Sequence, residues 1–575
     1  MKDEIKSFYT AVIMSLAVIF IFNYLFFGKK DVQIDTQVKE NAVEVSKEDI
    51  TEPVSSQIEI LTVDEALKQS PRINISNQDL KGSLRLTGNR IDSLYLRKYK
   101  QTQDENSGDV ELFMPSKTSN PYYAEFGWLA SDNKTKLPKS DTLWTVKGAE
   151  LTPQTPVVLE WDNGEGLRFI TKISLDDNYM FTINQSVENN TANTITLYPY
   201  GLIARDYDPK AKLYLMTQKS RIDLVDRDHE QKTKAGVVHE GLIGVFNDKL
   251  EEIKFKDLEK KDKEFETTSG WFGFSDRYWF SSIILDNQQP SKIKLSQNGT
   301  FYQSDFVGAP IAIAPGSVGT FQEMLFAGAK EIKLLDKYAD NLHIGKFDLA
   351  VDFGWYYFLT KPFFYILDYL YKIIGNMGWA ILLFAALLRL VMFPIANKSY
   401  ENMAKMKKLQ PKLKELQEKY AEDKMKLQQE TMFLYKKEKI NPASGCLPMF
   451  IQIPVFFSLY KVLNIAIEIR HAPFIGWIKD LSAPDPLLIS DWAHIPLPSV
   501  LDIGVWPIIM GITMYIQQKM NPAPTNKDQA RAFALLPLIF TFMMGHFAAG
   551  LVIYWSFSNI LSIIQQRVII HRNKD

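Results

Sequence analysis

The chain has one cysteine in 575 residues, seven histidines and no excess of charge, with 66 lysines and arginines against 67 acids. A single cysteine excludes an intrachain disulfide framework and a thiolate zinc cage. The histidines form no H-E-x-x-H pair, and no G-x-x-x-x-G-K-[ST] loop occurs. Neither zinc-peptidase chemistry nor nucleotide hydrolysis is therefore expected, no cofactor or metal is implied, and the chain does not read as an enzyme. A net charge of -1 argues against nucleic-acid recognition through a basic surface over the whole length. The mean hydropathy of -0.14 resembles that of a soluble protein, but it averages two regions that need different solvents.

Ser7 to Gly28 is 22 residues without a charge, flanked by lysines on both sides. That length crosses a hydrocarbon core of roughly 30 Å. The run ends in Asn23, Tyr24, Leu25, Phe26 and Phe27 rather than in the small residues of a cleavage site, so residues 1–30 read as an uncleaved transmembrane anchor. Residues 31–57 are polar and acidic, a linker composition. From 58 to 350 the sequence turns into short alternating segments bounded by Gly, Asn, Asp and Pro, such as Thr155 to Trp161 and Leu167 to Ser174. Period-2 alternation predicts an antiparallel sandwich of nearly 300 residues.

After Asp352 long apolar runs take over. Residues 355–374 place their charges, Lys361, Asp368 and Lys372, on one helical stripe, which predicts a helix lying in the membrane interface. Spans are expected at about 375–397, 445–467, 503–518, 532–546 and 550–567, which with the anchor makes six. The last two divide an uncharged stretch, Ala532 to Gln566, at Gly545 and Gly550; both arms are short, which predicts local bilayer thinning. Residues 398–440 hold 12 lysines against seven acids and read as a helical hairpin turning near Ala421 to Lys424. Lysine placement makes that hairpin cytoplasmic, together with both termini, and puts the sandwich and the loop from His471 to Asp502 outside.

Arg389 lies nine residues before Lys398, about 13 Å into its helix. An arginine at such depth costs about 2.5–3.5 kcal/mol on insertion scales, and no span holds an acid to pair with it. Snorkelling to headgroups is the plain alternative. Gln452, Thr513, Gln517, Ser556, Asn559 and Ser562 fall in the same half of their helices. Each alone is ordinary interhelical glue; with Arg389 they predict a hydrophilic groove that stops partway across the membrane and is fit to receive the polar flank of another chain.

The region from about Phe353 to Arg572 resembles the YidC membrane-protein insertases. The resemblance is carried by Gly375 to Pro394 around Arg389, Met403 to Pro411 (MAKMKKLQP), Asn441 to Pro454 (NPASGCLPMFIQIP), Asp480 to Pro486 (DLSAPDP), Gln517 to Pro522 (QQKMNP) and Gly550 to Tyr554 (GLVIY). It implies a polytopic α-helical membrane protein with a large periplasmic all-β supersandwich domain, in the inner membrane of a Gram-negative bacterium. It further implies an insertase and chaperone for nascent membrane proteins, acting alone or beside the Sec translocon, in contact with membrane lipids, the ribosome and a targeting receptor. Arg389 occupies the family's groove position. The hairpin matches a segment the family requires, which makes Lys405, Lys407, Lys408, Pro411 and Lys412 candidate functional residues. The tail after Arg567 is shorter than the basic ribosome-binding tails of some members, and the loop from His471 to Asp502 is longer than the resemblance leads one to expect. Two other classes remain open on the residues alone. One is a secondary transporter with a midplane polar site; the other is an anchored sandwich that stacks sugars on Trp271, Phe272 and Phe274.

Overall fold

The computed structural model describes residues 60–572 except 105, 133, 208–237, 439, 441–446, 496, 499–500 and 523–526. The N-terminal anchor, the linker and Cys446 lie outside the described residues. The chain divides into two compact units, Val38–Asp352 and a second that joins Met1–Gln37 to Phe353–Asp575.

The first unit is an 18-stranded β structure in which the described pairings are antiparallel, except where Arg72–Ser76 runs parallel to Glu150–Leu151. Strict alternation shows in Leu167–Leu175 and Met180–Asn189, whose side chains point by turns into the core and outward. The two strands pair along nine residues, Leu175 opposite Phe181 through Leu167 opposite Asn189. The longest strand, Trp279–Asn298, bonds to Val318–Ala329 along its first half and to Phe301–Val307 along its second, which passes it from one layer to the other. Between the layers lie Tyr179, Phe181, Phe280, Phe306 and Phe326. Trp271, Phe272 and Phe274 belong to this core, at 0%, 0% and 1% exposure, which removes the alternative of a sugar-stacking face on these residues. Trp271 packs edge-on against Phe280 and Phe347 and donates its indole N–H to the Gly345 carbonyl at 3.1 Å. Burial pushes the Asp305 carboxyl up to about 6 and holds Glu323 well above the usual carboxylate range, where Gln185 donates to it at 2.7 Å.

The second unit is helical. Helix α1 (Tyr357–Ile374) buries Phe363, Phe364, Leu367 and Leu370 and leaves Phe358 and Tyr369 outward, with Lys372 paired to Asp368 at 3.4 Å. Gly375 ends it in the left-handed region at φ 75°, a conformation that favours glycine, and Asn376 at once caps α2 (Met377–Val391) by accepting from the Trp379 N–H at 3.1 Å. The span expected at 375–397 is not one helix. It breaks at Met392, and α3 (Phe393–Lys408) leaves at 67°. Pro394 explains the break, because its ring carries no N–H for the preceding turn and suits the first turn of a new helix.

The hairpin expected at 398–440 is also divided. Its first third belongs to α3, whose Ala396, Tyr400 and Met403 are buried with Ile569 rather than against a second hairpin arm. After Leu409, Pro411 opens α4 (Gln410–Lys419), and α5 (Lys424–Lys437) returns, capped by Asp423. Lys412 and Glu438 join these two arms at 3.3 Å.

Helices α6 (Leu447–Ile465), α7 (Val505–Met520), α8 (Lys527–Met544) and α9 (Ala549–Arg572) complete the unit. Helix α9 packs on α2, α3, α6 and α7, and α8 packs on α7. The turn between α8 and α9 falls at residues 545–548. Both arms run past the uncharged stretch, and α9 at 24 residues is about 36 Å long. The added length is charged, and the apolar part of α8, Ala530–Met544, stays short. Among the described residues no single helix is both long and apolar enough to cross a membrane, although the bent pair α2 and α3 is. The buried polar residues along α9 account for its failing that measure.

Candidate functional site

The polar residues of the helical unit converge on α9. Its buried face carries Ser556, Asn559, Ser562, Gln565 and Gln566 at steps of three or four, so they stack along one side of the helix. Ser556 and Ser562 turn their hydroxyls back to the carbonyls of Val552 and Ser558, at 2.8 and 2.7 Å. Asn559 reaches across to α7, donating to Thr513 at 3.2 Å, while Thr513 donates to the Met510 carbonyl. Gln517 is half-buried one turn beyond Thr513 on the same helix. Gln452 on α6 donates to the Tyr554 hydroxyl at 2.8 Å. Ser556, Asn559 and Ser562 thus line one polar ladder on α9, joined to α7 by the Asn559–Thr513 bond, and Gln452 meets α9 at Tyr554.

Arg389 sits in the last turn of α2. Its Nη2 donates to the Tyr400 hydroxyl at 2.6 Å, across the bend into α3, and the guanidinium carbon lies 5.9 Å from the Tyr400 ring centre. Its Nε is buried without a hydrogen-bond partner, and no ion pair to it occurs among the described residues. The partner of the arginine is therefore a neutral hydroxyl, delivered by the change of helix direction at Pro394.

Sequence reasoning missed Tyr400, Tyr554, Gln565 and Gln566. Gln565 donates to the Phe393 carbonyl at 3.5 Å and Gln566 to Asn521 at 3.0 Å, and the Oε1 of each is buried without a partner. The two glutamines continue the spacing of Ser556, Asn559 and Ser562, which was the available signal. Of the hairpin candidates, Lys405, Lys407 and Lys408 form the last turn of α3, Pro411 opens α4, and Lys412 makes the pair with Glu438. Among the described residues no group of three or more His, Cys, Asp or Glu could hold a metal ion.

Two family models match the chain, the 60Kd inner membrane protein over residues 369–575 and the YidC periplasmic domain over residues 72–366. A membrane protein insertase YidC of Beijerinckia indica is 44% identical over 100% of this chain and 96% of its own length. The chain belongs to the YidC family of membrane protein insertases. A relative from Rickettsia bellii is 42% identical over 98% of this chain and 99% of its own. The solved structure of an active YidC insertase matches 88% of this chain and 93% of its own at 16% identity and a TM-score of 0.35, a likeness too low to carry an argument about arrangement. Membership makes the chain a bacterial inner-membrane protein with a periplasmic β domain and a helical C-terminal region, in a class that is not enzymatic.

Proposed function

We propose that the chain inserts nascent inner-membrane proteins along the polar side of α9, with Arg389 receiving the hydrophilic flank of the client. The carrying observation is the state of Arg389, a cation whose described hydrogen bond goes to one neutral hydroxyl and whose Nε is buried and unpaired. Such a group gains from an acidic segment, because a carboxylate adds charge pairing and a second acceptor to the guanidinium fork, where tyrosine offers one neutral hydroxyl. The ladder beside it is weak enough to yield, since interhelical hydrogen bonds in membranes average about 0.6 kcal/mol. Apolar segments of the client then leave into lipid along the spans.

The same reading assigns six spans, with the anchor at 1–30, an interfacial α1, and both termini and the hairpin in the cytoplasm. The periplasmic domain occupies 58–350 and the insertase core 351–575. It also includes chaperone action and work beside the Sec translocon on ribosome-delivered chains met through a targeting receptor, with the lysines of the hairpin as the cytoplasmic contact. Site-specific crosslinking from positions next to Arg389 to a stalled nascent membrane protein tests it. Crosslinks there that vanish with a soluble nascent chain are expected; their absence with the membrane client overturns the route.

A further inference from the structure

The loop between α6 and α7 is fastened to the first turns of three helices. At α2, Asn376 donates to the carbonyls of Pro473 and Phe474 at 3.3 and 3.1 Å. At α9, the first amides, Ala549 and Gly550, donate to the carbonyls of Ala483 and Leu481 at 2.6 and 2.9 Å. At α7, the Trp506 amide donates to Oδ2 of Asp485 at 2.7 Å. The opening amides of a helix have no partner within it and are met by a capping side chain, water or a ligand. Here a protein segment supplies the acceptors.

That segment, Ala472–Leu488, is closed on itself by the Phe474 amide on the Ile478 carbonyl and the Leu481 amide on the Ala472 carbonyl, both at 3.0 Å. Its side chains turned to the helices are Phe474, Ile478, Leu481 and Ala483, all buried. Gly378 on α2 and Gly504 before α7 let it sit close, since a side-chain carbon would overlap Phe474 at the first and Asp485 at the second. Asp485 is 2% exposed and accepts from three donors, one on α7 and two in its own segment. Besides Trp506, these are the Trp477 indole at 2.9 Å and the Leu487 amide at 3.1 Å.

We propose that Ala472–Leu488 is the seal of the insertion route, closing the end away from the hairpin, with Asp485 as its positioning residue. The proposal rests on the reading of the α9 ladder as the client's path. A polar path open at one end must be dry at the other if the membrane is to hold its proton gradient. Helix ends closed by protein carbonyls and a buried carboxylate over an apolar underside provide that dryness. Removal of the Asp485 carboxylate strands three donors at once, and water is the one acceptor able to replace it.

The test uses the full chain in liposomes holding a pH-sensitive dye, with an imposed proton gradient. Asp485→Ala is expected to dissipate the gradient several-fold faster than the unaltered chain, Asp485→Asn to fall between, and Asp491→Ala, an exposed acid beyond the seal, to leave the rate unchanged. An Asp485→Ala protein with unaltered gel-filtration elution and no added leak overturns the seal. If that variant does not fold, Asp485→Asn and Gly504→Ala decide: faster leak supports the seal, and unaltered rates in both overturn it. Crosslinking beside Arg389 is measured on the same unaltered preparation. Its absence there counts against the route, whereas its presence with a tight Asp485→Ala protein counts against the seal alone.

Discussion

Arg389 and Tyr400 form a pair whose members lie 11 residues apart and meet because the chain turns 67° between them. The hydroxyl holds the guanidinium, and the ring packs with Ala396, Met403 and Ile569. Tyr400→Phe keeps that packing and deletes a hydrogen bond to a charged group, worth about 1.5–3 kcal/mol. Part of that loss returns when water or client takes the hydroxyl's place. Because the client takes that hydroxyl's place, reconstituted insertion of a client with an acidic flank is expected to be unchanged or faster in Tyr400→Phe and to fall in Arg389→Ala. A wild-type rate in Arg389→Ala would contradict a role for the arginine. The arginine was legible in the sequence because a charge in an apolar run stands out. Its partner was not, because at 11 residues' separation a straight helix carries the side chain about 16 Å away.

At the scale of elements, α9 is the axis of the helical unit, and its neighbour α7 meets α8 by close approach. Gly511 on α7 shows this, because a side-chain carbon there would overlap the Thr541 hydroxyl on α8. That hydroxyl already donates to the Pro537 carbonyl at 2.7 Å, while the carbonyl that Pro537 leaves without its helical donor, Phe533, accepts from Gln518 on α7. Gly511→Leu is expected to separate α7 from α8 and destabilise the unit by about 1–3 kcal/mol, the usual range for overpacking. A lowered apparent melting temperature in detergent would show it, and an unchanged one would mean that the two helices are not fixed at this spacing. Helix existence was readable from apolar runs. Helix ends were not, since α8 and α9 continue through the charged residues by which a span is delimited in sequence, at Lys527 and Arg572.

For the whole molecule, the two units differ in what holds them together. The β unit has an aromatic interior and a dense antiparallel ladder, while the polar ladder proposed as the client's path lies wholly in the helical unit. Deletion of residues 58–350, with the anchor kept, is accordingly expected to leave most insertion activity in a reconstituted assay. Complete loss in a deletion protein that still enters the membrane would place part of the route in the β unit. The near-zero net charge also belongs to this scale, because under the proposed topology a basic cytoplasmic side cancels an acidic periplasmic one.

The sequence by itself determined the division into a strand-rich and a helical region and the isolation of Arg389, because periodicity and charge are local properties that survive without neighbours. The resemblance in ordered motifs added the family. Tertiary structure decided what those residues meet. It supplied Tyr400 to Arg389, moved Trp271, Phe272 and Phe274 from a possible surface into the core, and laid the loop of Asp485 over three helix ends. Each of these depends on a bend, a closure or a packing contact between residues far apart in the chain, and such contacts leave no periodic mark in the sequence.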